Sequence, residues 1–246
     1  MPISRIFQPV DLVCGSVIQL DAQASHHLTA VLRANTENTV TIFNGKGGEY
    51  KSTITQINKK QVSVQINEHV AREAESPLEL CLAQGISRGE KMDYTIQKAV
   101  ELGVKKIIPL FTERCTVKLD EERRAKRFQH WQSIIISACE QSGRNQIPEL
   151  LFPMTLENSL RSVQADWCFV LSPIATSQLK DKPVQKQQRV ILLIGPEGGL
   201  SESEISLACQ QGFLPLNLGP RILRTETAAV AAITALQCSF GDMGAH

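Results

Sequence analysis

Apolar residues first fall into a regular rhythm at residue 39, where Val40 and Ile42 alternate with Thr39 and Thr41; Val62, Val64 and Ile66 then recur at every second position of 61–66. That period of two predicts half-buried strands, and Asn44-Gly45 with Gly47-Gly48 supply the turn residues between them. Residues 3–7 read as a further short strand, and Ser25 as the cap of a short helix running to Leu32. These pieces suit a small β-barrel, closed off by the charged stretch 68–76 and Pro77.

Beyond Pro77 the rhythm changes to strands alternating with helices, the pattern of a parallel sheet. Strands are expected at 78–83, 106–110, 166–171, 190–194 and 214–218, and helices at 91–102, 120–140, 201–211 and 225–239, with Gly103, Gly143 and Gly212 as stops. The strands are nearly continuous apolar runs, so both faces of the sheet should be covered. The last helix is small and apolar almost all round, which predicts burial. No internal repeat or low-complexity segment interrupts the chain.

Composition narrows the function classes. A chain of 246 residues, 42% apolar and 21% charged, can bury a real core as one large domain or a medium and a small one, which excludes a fibre or a disordered tail. Net charge is +1, yet residues 84–145 carry 12 basic and 8 acidic side chains, whereas 1–74 carry 7 and 6 and 146–246 carry 7 and 9. Part of the central excess is the run Arg123, Arg124, Lys126, Arg127, read first as a solvated helix face and second as nucleic-acid contact. Seven scattered cysteines without a C-x-x-C pair, and five histidines without a ligand cluster, imply no metal. Residues 1–20 show no targeting signal and no run of about 18 apolar residues occurs, so a soluble protein of the cytoplasm is expected, with no membrane contact.

Two turns hold the candidate chemistry. In Ile194-Gly-Pro-Glu-Gly-Gly-Leu-Ser-Glu-Ser-Glu204 a buried strand ends in a turn of three glycines, and Ser201 with Glu204 forms a capping box that opens a helix. In Leu218-Gly-Pro-Arg-Ile-Leu-Arg-Thr-Glu-Thr-Ala228 a strand end, a Gly-Pro turn and a helix start carry two arginines and a glutamate within six residues. Ligands of parallel sheets sit beyond the carboxyl ends of the strands, so both turns can serve one pocket. Equally, the first can be a tight connection, and Arg221 and Arg224 can simply pair with Glu226 at a helix start. The phosphate loops of ATP and NAD sites are absent, as is the G-x-G-x-G of doubly wound methyltransferases.

Together these turns resemble the paired C-terminal motifs of the RsmE family of SPOUT-class RNA methyltransferases. The resemblance extends through Ser87–Met92, Ile96-Gln-Lys98, Glu101–Val104, Glu113-Arg-Cys115, Ala138–Arg144 and Pro148 to Arg5 and Val31-Leu-Arg33. Ala99 and Cys115 depart from it, standing where many members have threonine and serine. It implies an α/β architecture: a PUA-like RNA-binding β-barrel over 1–74, then a SPOUT parallel-sheet domain over 75–246 with a trefoil knot. It further implies a homodimer that uses S-adenosylmethionine, and no metal, to methylate N3 of a uridine in 16S ribosomal RNA of the small subunit near the decoding centre.

On that resemblance Glu226 and Glu197 are candidates for the base and Arg224 for the charge stabiliser, with base catalysis and pure orientation both left open. Leu171, Ile194, Leu218, Ile222 and Leu223 are expected to flank the adenine, and backbone at Gly195, Gly199 and Gly219 to hydrogen-bond the cofactor, with Gly198 and Thr227 completing its site. Arg5, Arg33, Arg88, Lys91, Arg114 and Arg144 are the expected RNA contacts. Two rivals remain: a ribosome-assembly factor that binds RNA without catalysis, and a SPOUT enzyme acting on a transfer-RNA ribose hydroxyl.

Overall fold

A computed structural model of the chain describes residues 4–58, 61–117, 120–162, 164–177, 179 and 184–244. It divides into two compact units, residues 1–75 with 139–147 and residues 76–138 with 148–246.

The first unit contains β1 (Ser4–Phe7), β2 (Val17–Gln19), α1 (Ala22–His26) followed by a π-helical turn (His27–Val31), β3 (Thr39–Phe43), β4 (Glu49–Asn58) and β5 (Gln61–Val70). They form a five-stranded sheet in the order β1-β3-β4-β5-β2, parallel at β1/β3 and antiparallel elsewhere. The period-two residues Val40, Ile42, Val62, Val64 and Ile66 turn inward and meet Ile6, Leu20, Leu28 and Ile54 in one core. Residue 3 of the expected first strand lies outside the described residues. β4 fills the stretch between the two period-two runs, where register shifts at Lys51/Ser52 and Ile54/Gln56 interrupt its pairing with β5.

The helix cap at Ser25 is corrected. Asp21 is the cap, its Oδ1 accepting from the Ala24 N–H at 2.8 Å. Ser25 is buried inside the helix, where its hydroxyl donates to the Leu20 carbonyl at 3.3 Å and accepts from the Val62 N–H at 3.1 Å.

The second unit runs β6 (Glu79–Gly85), α2 (Glu90–Glu101), β7 (Lys106–Phe111), α3 (Glu121–Ser142, its last turn belonging to the first unit), β8 (Glu149–Leu150), β9 (Met154–Thr155), α4 (Leu156–Ser162), β10 (Trp167–Leu171), β11 (Arg189–Ile194), α5 (Glu202–Gln210), β12 (Leu214–Leu216) and α6 (Thr225–Phe240). The sheet order is β12-β10-β11-β6-β7-β8, with β9 also on β7, and every pairing is parallel. Val190 through Ile194 are all buried, as expected of a strand covered on both faces.

Within the single chain α6 buries one face. Ala229, Ala232, Ile233, Leu236 and Gln237 point inward, while Thr227, Cys238 and Ser239 are exposed. Gln237 anchors the helix, accepting from the Ser76 hydroxyl at 2.7 Å and donating to the Leu102 carbonyl at 2.8 Å. On α3, Lys126 pairs with Glu122 at 2.6 Å and Arg123 with Asp120 at 3.5 Å, in keeping with the solvated-face reading of that run. All seven cysteines are free, and burial pushes the Cys81 and Cys139 thiols up to about 12. Among the described residues no helix is long and apolar enough to cross a membrane.

Within the first unit, Arg5 and Arg144 hold the chain together and do not face outward. Arg144 is 3% exposed and grips Glu75 through Nε at 2.9 Å and through a terminal nitrogen at 2.5 Å. Arg5 pairs with Glu49, donates to Asn145 Oδ1 at 2.6 Å and stands over the Phe43 ring, 5.0 Å from its centroid. The expected RNA contacts at these two positions are therefore corrected: both guanidiniums are turned into the unit, Arg144 onto Glu75 and Arg5 onto Glu49 and Asn145, and neither presents its donors at the surface to a phosphate. Replacing Arg144 by alanine strands the Glu75 carboxylate, so chemical denaturation is expected to show a loss of about 3–5 kcal/mol. A loss below about 1 kcal/mol would mean that the pair does not hold the unit.

Candidate functional site

Because every strand of the second sheet runs the same way, the ends of β6, β10, β11 and β12 lie along one edge. There the segments after β10, β11 and β12, with the first turn of α6, enclose a cavity of about 310 Å³. Both motif turns open into it, which places the pocket where parallel sheets hold ligands.

The glycine turn after β11 folds back on itself: a Cβ on Gly195 would lie 2.6 Å from the Leu200 nitrogen. The expected capping box then forms, Ser201 accepting from the Glu204 N–H at 3.2 Å and Glu204 from the Ser201 N–H at 2.9 Å. Glu204 also accepts from the Glu113 N–H at 2.7 Å, tying the segment after β7 to α5. At the end of β6, Gln84 is fully buried, and its amide donates to the Gly195 carbonyl at 3.2 Å and to Thr225 Oγ1 at 3.0 Å. Thr225 in turn donates to the same Gly195 carbonyl at 2.7 Å. Thus one carbonyl at the root of the first turn is held by β6 and by the start of α6.

Most of the expected cofactor residues come together here. Leu171, Ile194, Gly195, Gly198, Gly199, Leu218, Gly219, Ile222 and Leu223 all line the cavity, Ile222 at its rim with 89% exposure. Thr227 does not; it is exposed on α6, and Thr225 and Ala228 line the cavity in its place. Helical spacing is the reason, since residues three apart share a face and Thr227 falls between them. The N–H groups of Gly199 and Gly219 are also used within the chain, by the Pro196 carbonyl at 2.9 Å and Asn217 Oδ1 at 2.6 Å. Hydrogen bonding from those two glycines to a ligand is therefore restricted to their carbonyls.

The charged residues separate into groups. Arg88, Lys91 and Arg114 gather around the glycine turn: the Arg88 N–H reaches Glu197 at 3.0 Å, Lys91 pairs with Glu197 at 3.5 Å, and Arg114 donates to the Gly198 carbonyl at 3.1 Å. Burial pushes the Glu197 carboxyl up, but hydrogen bonds from its own backbone and from Arg88, with the Lys91 ammonium, outweigh it and hold the group below the usual range. Arg224 and Glu226 flank the lining residue Thr225 without lining the cavity themselves. They make no pair with each other: Arg224 is exposed, and Glu226 Oε2 is buried without a partner among the described residues. Arg33 is an exposed residue of the first unit, at φ 51°.

Gln84, Ser172 and Asn217 were not singled out by sequence. The available signal was slight: a lone glutamine ending an apolar strand, and single polar residues beside strand ends. No three His, Cys, Asp or Glu side chains among the described residues are placed to hold a metal ion. Replacing Thr225 by valine, nearly its isostere, removes the second donor from the Gly195 carbonyl and one of three acceptors from the Gln84 amide, which keeps the Gly85 and Gly195 carbonyls. A loss of about 1–3 kcal/mol in denaturant unfolding is expected, with faster amide exchange in both turns.

Comparison with known proteins agrees with this arrangement. A model of the RNA methyltransferase domain matches residues 74–237, and a model of the RNA methyltransferase PUA domain matches residues 20–67. Ribosomal RNA small subunit methyltransferase E of Buchnera aphidicola (Schizaphis graminum strain) is 43% identical over 98% of both chains, and that of Bacillus subtilis 32% identical over 86% of both. Among solved structures, a Legionella pneumophila methyltransferase in complex with the cofactor SAM superimposes with a TM-score of 0.96, at 46% identity over 99% of this chain and 100% of that one. Ribosomal RNA small subunit methyltransferase E from Neisseria gonorrhoeae bound to S-adenosyl methionine gives 0.92, at 38% identity over 98% and 99%. With its two units matched in order and relatives aligned over nearly the whole length, the chain belongs to the ribosomal RNA small subunit methyltransferase E family of RNA methyltransferases.

Proposed function

We propose that the protein methylates 16S ribosomal RNA at N3 of a uridine, using S-adenosylmethionine held in the cavity at the carboxyl edge of the parallel sheet. The observation that carries the reading is this cavity, in a chain 46% and 38% identical to methyltransferases solved with that cofactor. The residues present fit it. Leu171, Ile194, Leu218 and Leu223 offer apolar walls for an adenine, and the buried Ser172 hydroxyl among the lining residues has no partner among the described residues. A Cβ on Gly199 or Gly219 would meet no atom within 4 Å, so space at the lining is kept open.

S-adenosylmethionine, when bound, supplies an electrophilic methyl group on its sulfonium. The chain must then orient the uracil ring and help N3 lose its proton. Glu226, with an unpartnered carboxylate oxygen, is the better base; Glu197 already has its charge satisfied by Lys91 and Arg88. Arg224, an exposed cation beside the cavity lining, is suited to the charge developing on a uracil oxygen. Arg88, Lys91 and Arg114 are the phosphate contacts of the catalytic unit, and Arg33 that of the PUA unit.

The half-exposed, alanine-rich face of α6 suits a second copy of the chain, and a knotted C-terminal segment, a homodimer and a cytoplasmic setting complete the proposal. The test is methylation of small subunits from a strain lacking the gene, followed by mass spectrometry of nucleosides. The expected product is 3-methyluridine, and a 2′-O-methyl nucleoside would sink the proposal.

Gly199 sits at φ 70°, which a β-branched residue rarely adopts, and a side chain there would compete with the cofactor. Gly199→Val is therefore expected to abolish S-adenosylmethionine binding in calorimetry while the protein stays folded; unchanged affinity would make the turn a mere connection. Arg224→Ala and Glu226→Gln should each lower the single-turnover rate about 100- to 1,000-fold with little change in cofactor affinity. Glu197 stays ionised through neutral pH, so Glu197→Gln is expected to leave the acid limb of the pH–rate profile in place. Loss of that limb in this variant would return the role of base to Glu197.

A further inference from the structure

One wall of the cavity consists of two segments that follow neighbouring strands, 172–177 after β10 and 217–223 after β12. Little holds these segments by burial: Ile174 on the first is 80% exposed and Ile222 on the second 89%. The ladder between their strands is short, with Leu171 and Leu216 as its last pair and one further bond from the Ser172 N–H to the Leu216 carbonyl at 2.9 Å.

Past that point a single residue takes over. The Asn217 backbone N–H donates to the Ser177 carbonyl at 3.0 Å, its side-chain Nδ2 to the Pro173 carbonyl at 2.9 Å, and its Oδ1 accepts from the Gly219 N–H at 2.6 Å. The last bond closes a tight turn in which Gly219 sits at φ 112°, open to glycine and strained for other residues.

We infer that Asn217 is a positioning residue for the cofactor: its side chain clamps the two segments into one wall, at the separation the bound form needs. Asn217 itself lines the cavity, but one donor and one lone pair of its amide are held by Pro173 and Gly219, which fixes the side chain in the wall and makes its part in binding one of positioning. Without that side chain only the backbone bonds from Asn217 to Ser177 and from Ser172 to Leu216 still join the two segments, and the wall is held less firmly. The binding-competent wall is then only a fraction of the population, and apparent affinity falls by that fraction.

The inference rests on reading the cavity as the S-adenosylmethionine site, and the test separates the two. Calorimetry with S-adenosylmethionine is run on the wild-type protein, Asn217→Ala and Asn217→Ser, with single-turnover rates measured at saturating cofactor and small subunits. Alanine removes both side-chain bonds, whereas serine keeps an acceptor for the Gly219 N–H and gives up only the reach to Pro173. The dissociation constant is expected to rise about tenfold for alanine and by an intermediate factor for serine. Rates at saturation should stay within about twofold, since the loss is one of binding shared by ground and transition states. Exchange of the Gly219 amide should quicken in the alanine variant and stay nearer to wild type in serine.

If the wild-type protein does not bind S-adenosylmethionine, the site assignment falls and the inference with it. If it binds and the alanine variant binds equally, the clamp alone is overturned. A fall in saturating rate together with melting temperature in both variants would overturn it too, by making Asn217 a residue of the fold. Should the alanine variant fail to fold, the serine variant decides: an unchanged dissociation constant overturns the clamp, and a weakened one at unchanged rate supports it.

Discussion

The catalytic unit depends on how one buried carbonyl is satisfied. Gly195 follows β11 inside the protein, where an unpaired backbone oxygen is costly, and the partners of its carbonyl are the amide of Gln84 and the hydroxyl of Thr225. These three residues come from β6, the glycine turn and α6, and only close backbone approach lets them meet. A Cβ on Gly85 would stand 2.5 Å from the Pro196 nitrogen, so glycine is required for β6 and the turn to approach this closely. The cavity follows from that junction, because holding the root of the first turn against α6 leaves the second turn to form the facing wall.

Arginine serves two opposite purposes in this chain, separated by burial. Arg5 and Arg144 are enclosed with carboxylates and act as internal braces of the PUA unit. Arg88 and Arg114 stay exposed at the glycine turn, where part of their hydrogen-bonding capacity is used on Thr116 and Gly198 and part is left for solvent or a ligand. A guanidinium has five donors, so a surface arginine can be positioned by one partner and still meet a phosphate, whereas one enclosed by carboxylates cannot. The difference lies in what surrounds each residue, and its local sequence carries little of it.

The same logic sorts the acidic residues. Glu204 closes a capping box and also takes the Glu113 N–H, so it is structural on both counts. Glu197 is neutralised by a neighbouring lysine and an amide, which makes it an organiser of cations and a weak base. Among the acidic side chains of the described residues, Glu226 alone keeps a buried oxygen without a partner, a state the fold maintains at a cost.

The sequence by itself determined the order of the two architectures, the parallel character of the second sheet and the two turns that meet at its carboxyl edge. These are local properties: periodicity sets which face is apolar, glycine permits a turn, and Ser201 with Glu204 caps its own helix. Nine of the ten expected cofactor residues line the cavity, eight because they belong to those turns and Leu171 because it ends the neighbouring β10. Tertiary structure alone decided the rest. Thr227 falls on the outer side of α6, Arg5 and Arg144 turn inward to Glu49 and Glu75, and Gln84 and Asn217 gain their importance from partners up to 141 residues away. A polar side chain's role is set by which groups are left unsatisfied around it once the backbone has packed, and those neighbours are assembled from distant parts of the chain.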